Sequence, residues 1–180
     1  YQPLVPITPY ALMAARHMHQ FGTTRRHLAE VAVAARRWAQ LNPEAFRRDP
    51  LDIDEVLAAK MIADPFTVHD CCLVTDGAGA FVITRNDLAK DLSKAPVHVL
   101  SNATAVWHRQ VSSMADFTIT PAVESGSRAF QEAGLKPSDV DVVQLYDAFS
   151  INPILFLEDL GFCKKGEGGP FVENGGIAPG

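Results

Sequence analysis

A short apolar run holding Val142, Val143 and Leu145 delivers Tyr146 and Asp147 to its end, and a helix-like stretch starts a few residues later. Few arrangements accept such a run. Its character suits a strand covered on both faces, as in α/β proteins, where polar side chains at the C-terminal ends of strands line the ligand crevice. The following helix aims the positive end of its dipole at the same place. This strand-to-helix junction is the part of the sequence that looks built for chemistry.

The rest of the chain alternates in the same way. Thr8-Pro9 pairs a capping residue with a proline suited to the first helical position, and Gly22 supplies a stop, so a helix is predicted over 9–21. Thr24 opens a second helix, whose Leu28, Val31, Ala32, Ala35, Trp38 and Ala39 recur on one apolar face until Pro43. A loop over 42–51 leads to Asp52 and Glu55, spaced as a capping box for a short helix that Pro65 closes. Residues 78–84 read as a buried strand and 86–92 as a short helix, with a boundary near 93–96. A strand over 97–106 opens the second unit, an amphipathic helix runs from Thr120-Pro121 to Gly134, and Lys136-Pro137-Ser138 turns the chain into a strand over 141–146. Alternating strands and helices imply an α/β architecture with a mainly parallel sheet.

Bulk properties narrow the function classes. The 180 residues, 47% of them hydrophobic, are enough for a sizeable core in one large or two small domains. With a net charge of −5 and basic residues scattered in short pairs, the chain shows no nucleic-acid groove. Three cysteines, Cys71, Cys72 and Cys163, cannot all pair, and the adjacent two bridge awkwardly, so reduced thiols and a cytoplasmic location are expected. Apolar stretches fall short of a membrane span and no secretory leader opens the chain. Tyr1 in place of methionine and a glycine-rich end at Gly180 read as a piece of a longer chain.

Several short motifs share one resemblance. Gly22-Thr23-Thr24, Ala63-Asp64-Pro65, Asp70-Cys71-Cys72, Asp76-Gly77-Ala78-Gly79-Ala80, Tyr146-Asp147-Ala148-Phe149, Leu157 to Cys163 and Lys165-Gly166-Glu167-Gly168 follow one another across nearly the whole chain. Together they resemble the thiolase superfamily, specifically its sterol-carrier-protein-X and lipid-transfer-protein-like branch. The resemblance implies a thiolase-like fold of layered αβαβα type with mainly parallel mixed sheets, of which only the middle part is represented. Residues 1–95 would be the second half of the N-terminal repeat with its loop region, and 96–180 the first half of the C-terminal repeat. The family's nucleophilic cysteine and its Gly-His-Pro histidine are expected outside these residues.

The same resemblance implies acyl-CoA chemistry. Tyr146 stands where relatives carry Asn or His, the residue that helps hold the thioester oxyanion, and similar sequences with tyrosine here include steroid side-chain aldolases. A phenol can donate one hydrogen bond or act as acid or base once its environment lowers its ordinary pKa of about 10. Packed at a strand end with its hydroxyl satisfied, it would be structural instead. Asp147 either orients its neighbours at the site or caps the helix beginning near Ser150, and Asn152 before Pro153 reads as a cap. Phe149 reads as core. By alignment Cys72 borders the pantetheine arm, and Gln20 and Phe21 help line the acyl-CoA channel; residue by residue, the cysteines also fit small buried hydrophobes, and Gln20 and Phe21 the end of an amphipathic helix. His17 and His19 share no helix face and make poor metal ligands, so no metal site is expected. Nor is the 161–180 stretch a phosphate loop, since it lacks the Gly-Lys-Ser/Thr ending.

The implied activity is a thiolase-like acyl-CoA C-acyltransferase. One alternative is a retro-aldolase cleaving a β-hydroxyacyl-CoA, and another is a non-catalytic acyl-CoA or lipid-binding homologue. Coenzyme A enters as part of the substrate, with no tightly held cofactor. Expected partners are an acyl-CoA, a second copy of the chain in a homodimer and a small accessory protein.

Overall fold

The computed structural model describes residues 4–180. Helix α1 spans Ile7–Phe21 and α2 Arg25–Gln40, with one left-handed residue, Gly22 at φ 75°, closing the first and allowing the second to begin at once. Thr24 caps α2 by accepting from the His27 amide, while the His27 ring accepts from the Thr24 amide, a capping box with histidine in the usual Glu/Gln place. Helix α1 starts two residues earlier than predicted. Thr8 gives no side-chain cap, and Pro9 falls in the first turn, where its missing N–H has no intrahelical partner to lose.

The Asp52–Glu55 capping box forms as read and opens α3, Ile53–Ala58. Past it the chain makes a hairpin the sequence reading missed, β1 over Met61–Ala63 and β2 over Phe66–Thr67, antiparallel and joined at Asp64-Pro65. Helix α4 spans Asn86–Ala89 and α5 Ala122–Ala133, the latter closed by Gly134 at φ 68°. Helix α6, Ile151–Asp159, and the short α7, Gly168–Val172, complete the set.

Core packing centres on α6. Its mean character is apolar on all sides, and eight of its nine residues, Glu158 and Asp159 included, are buried. Around it lie Ile7, Ala11, Met13 and Ala14 of α1, Leu28 and Val31 of α2, Phe66, Phe149 and Val172. Phe149 is core, as its sequence context implied, stacked on Phe66 with ring centroids 5.6 Å apart and tilted against Tyr10 at 4.6 Å. A second, smaller cluster sets Ala29 and Val33 of α2 against Val56 of α3.

The predicted strands form no ladder. Among the described residues the β1–β2 hairpin is the only sheet, and the segments 72–85, 95–108 and 142–147 run without a turn, bend or strand pairing. Residues 101–106 nevertheless keep the strand's period of two: Ser101, Ala103 and Ala105 are half-buried while Asn102, Thr104 and Val106 are exposed. Their covered side lies along α5, where Ser101 Oγ donates to the Ala129 carbonyl and Arg128 Nη1 to the Thr104 carbonyl. Val82, Val97 and Val142 stay 90%, 94% and 76% exposed. The apolar pattern was that of strands inside a layered sheet, but among these residues such strands find neither edge partners nor a second covering layer.

Candidate functional site

The Tyr146-Asp147 end is held in place by a crossing of two segments. Cys71 and Phe149 form an isolated antiparallel bridge, the Cys72 amide donates to the Ala148 carbonyl at 2.9 Å, and the Ser150 amide donates to the Asp70 carbonyl at 2.9 Å. Asp70 locks the crossing. Its buried carboxylate accepts from the Thr67 amide (2.7 Å) and hydroxyl (2.9 Å) through one oxygen, and from the Ser150 hydroxyl (2.6 Å) through the other. A buried acid with both oxygens occupied by protein donors is a fixed strut.

This crossing sets Cys72 and Asp147 on one cleft of about 340 Å³, together with His69, Ser150 and the guanidinium-bearing Arg36 and Arg47. Tyr146 is not among the residues lining this cleft; it precedes Asp147 in the extended segment and is 68% exposed, so it is not sealed in packing. Asp147 is not a cap: Ser150 occupies the N-cap position of α6, and its side chain makes no capping bond. Asn152 is not a cap either. It is the second residue of α6, 5% exposed, with its side-chain oxygen buried and unpartnered. Cys72 is exposed rather than a buried hydrophobe, whereas Cys71 and Cys163 pack half-buried against the core.

Gln20 and Phe21 do not line the cleft. Gln20 is exposed and accepts from Arg16 Nε at 3.2 Å, one turn back on α1. Phe21 packs on the His17 ring, with centroids 4.8 Å apart, and against Gly166, where a Cβ would meet its ring.

A buried charged network at the end of α6 escaped the sequence reading. His17, fully buried, has Nδ1 at 2.7 Å from Thr23 Oγ1 and Nε2 at 3.0 Å from Glu158 Oε2. Lys165 Nζ reaches the same Glu158 oxygen at 3.1 Å, Asp159 Oδ1 at 2.6 Å and the Thr118 carbonyl at 2.7 Å. The Gly168 amide donates to Glu158 Oε1 (2.9 Å) and the Thr120 amide to Asp159 Oδ2 (2.8 Å). Burial pushes the Glu158 carboxyl up, but the hydrogen bond and charge of His17 and the Gly168 amide outweigh it and hold the group below its ordinary value. Two acids ending an otherwise apolar helix were the available signal. Buried carboxylates need partners, and here α1 and the 165–168 loop supply them.

Comparison with known proteins identifies related sequences and a related fold. Residues 103–180 match the family described as thiolase C-terminal domain-like. An acetyl-CoA acetyltransferase of Methanothermobacter thermautotrophicus is 41% identical over 167 residues, covering 92% of this chain and 44% of that protein. The benzoylsuccinyl-CoA thiolase subunit BbsB of Thauera aromatica is 36% identical, covering 95% and 45%, and a steroid side-chain-cleaving aldolase of Thermomonospora curvata is 32% identical, covering 93% and 44%. Among solved structures, a chain of the Ltp2-ChsH2(DUF35) aldolase superposes with a TM-score of 0.89 at 29% identity, covering 95% of this chain and 46% of that one.

The chain belongs to the thiolase superfamily and has a thiolase-like fold over the part it represents. It spans a little under half the length of the curated relatives it matches. No helix among the described residues is long and apolar enough to cross a membrane.

Proposed function

We propose that the protein acts on acyl-CoA thioesters as a thiolase-like acyltransferase, making or breaking a carbon–carbon bond beside the thioester carbonyl. The observation that carries this reading is the crossing at Asp70–Cys72 and Ala148–Ser150, which puts Cys72 and Asp147 on one cleft, with the exposed Tyr146 next to Asp147 in the chain. The pantetheine arm runs past Cys72, and Arg36 and Arg47 on the same cleft are suited to the phosphates of coenzyme A. Tyr146 donates its hydroxyl proton as a hydrogen bond to the oxyanion that develops at the reacting carbonyl, while Asp147 orients the approach. A positioned donor of this kind is worth ~10²-fold or more in rate.

Retro-aldol cleavage of a β-hydroxyacyl-CoA is a second reading, favoured by tyrosine at 146 and by relatives of which one is named a carboxyl-CoA lyase and another an aldolase. There the β-hydroxyl proton passes to a base, the Cα–Cβ bond breaks, a carbonyl product leaves and the acyl-CoA enolate takes up a proton, with Tyr146 as the shuttle. BbsB is named as a subunit and the solved aldolase as a two-part assembly, which supports an accessory partner protein.

A thioester panel with product identification, run on the complete protein, separates the two chemistries: β-ketoacyl-CoA turnover with free coenzyme A marks the first, β-hydroxyacyl-CoA cleavage without it the second. Tyr146→Phe should lower kcat by ~10²-fold with folding intact. Unchanged turnover in that variant removes Tyr146 from the chemistry, and a protein that binds acyl-CoA without converting any thioester is the non-catalytic homologue.

A further inference from the structure

Serine is a favoured helix cap, and Ser150 stands at the N-cap position of α6, yet it does not cap. Its backbone is helical, at φ −58° and ψ −21°, and its hydroxyl is given instead to Asp70 Oδ1 at 2.6 Å, across 80 positions of sequence. That length is typical of a charge-assisted O–H···O⁻ bond. Both residues are 4% exposed, and both line the cleft that holds Cys72 and Asp147. Departures from local rules of this kind concentrate at functional sites.

The other Asp70 oxygen accepts from the Thr67 amide and hydroxyl, and that hydroxyl oxygen in turn accepts from the His69 amide at 3.3 Å. One carboxylate therefore ties the end of β2 and the 69–72 segment to the start of α6. Backbone bonds hold the same crossing only weakly. The Cys72 amide to the Ala148 carbonyl and the Ser150 amide to the Asp70 carbonyl belong to a single isolated bridge, outside any named strand.

We propose, on the basis of the acyl-CoA reading, that Ser150 and Asp70 are positioning residues of the reaction, a hydroxyl–carboxylate strut that keeps the Tyr146-Asp147 end in register with Cys72. They act through Asp147 and Cys72, not on the reacting atoms. Losing the strut therefore misplaces the site without removing any group that binds the acyl-CoA.

The test is made in the complete protein with Ser150→Ala, which removes the hydroxyl but no cap, and with Asp70→Ala. Each should lower kcat about tenfold or more, counted per folded molecule by circular dichroism, with KM for the acyl-CoA little changed. Mass-spectrometric hydrogen exchange should quicken at the amides of residues 72 and 150. Because the two groups form one strut, the double variant should lose no more than the worse single one, whereas independent lesions add. Asp70→Asn should recover most of the rate, since its amide can accept from Thr67 and donate to the Ser150 oxygen. Ser150→Ala and Asp70→Asn keep the comparison decisive even if Asp70→Ala folds poorly. Parental kcat in Ser150→Ala, losses that add, or an effect on KM in place of kcat overturns the strut and leaves the acyl-CoA reading standing. A parent that converts no thioester overturns both.

Discussion

Three thiols in one chain differ because their surroundings do. Burial, followed by the Glu158 and Glu167 carboxylates, pushes Cys163 up to about 11, and burial, Asp70 and Cys72 raise Cys71, whereas Cys72 is exposed on the candidate cleft. Alkylation requires thiolate. Iodoacetamide at pH 8 should therefore label Cys72 first and Cys163 last, Cys163 holding a thiolate fraction about 100-fold below that of an unperturbed thiol. Peptide mass spectrometry over time reads the order, and Cys163 labelled as fast as Cys72 would contradict the packing described. Sequence could name these residues but not rank them, since exposure depends on what the fold lays over each one. The position of Tyr146 and Asp147 just ahead of α6 was legible because an apolar extended run leading into a helix is a local pattern. The unmet oxygen of Asn152 was not, for a residue before proline at a helix start reads as a cap whether or not its side chain finds an amide to accept from.

Helix α6 contributes Ile151, Ile154, Leu155 and Leu157 to the core, and its last two residues, Glu158 and Asp159, are buried acids. Lys165 is shared between Glu158 and Asp159, so Lys165→Met leaves one lysine fewer for two buried acids and should cost about 2–4 kcal/mol in urea unfolding. A carboxyl held low in the folded state contributes stability above its unfolded pKa of about 4.3, and that contribution is lost as pH falls through the folded value. Glu158→Gln should accordingly be less stable than the parent at neutral pH and lose less stability on acidification. Parallel stability curves for the two proteins from pH 7 down to the acid limit would show that Glu158 is not the titrating group. Helix boundaries set by local chemistry were readable: Thr24, Asp52, Gly22 and Gly134 act where the sequence placed them. The start of α1 was not, because Ile7 joins the helix by packing into the core, which no capping rule registers.

Across the whole molecule, helices are packed and the would-be strands are bare on one side. In the 180-residue chain, the amides of 73–84, 97–106 and 142–146 should exchange hydrogen at near-unfolded rates, while those in the middle of α1, α2 and α6 are protected. Mass-spectrometric exchange distinguishes the two, and protection of the straight segments would mean that they pair with one another or with a second copy. The sequence by itself determined helices α1, α2, α3 and α5, the caps at Thr24 and Asp52, the apolar period of the would-be strands and the junction carrying Tyr146 and Asp147, since each rests on contacts a few residues apart. Only the tertiary structure decided that Cys72 meets Asp147 on one cleft, that His17 and Lys165 hold Glu158 and Asp159, and that the strands stand without a sheet. Those outcomes join residues 6 to 141 positions apart, or depend on partners no local pattern specifies.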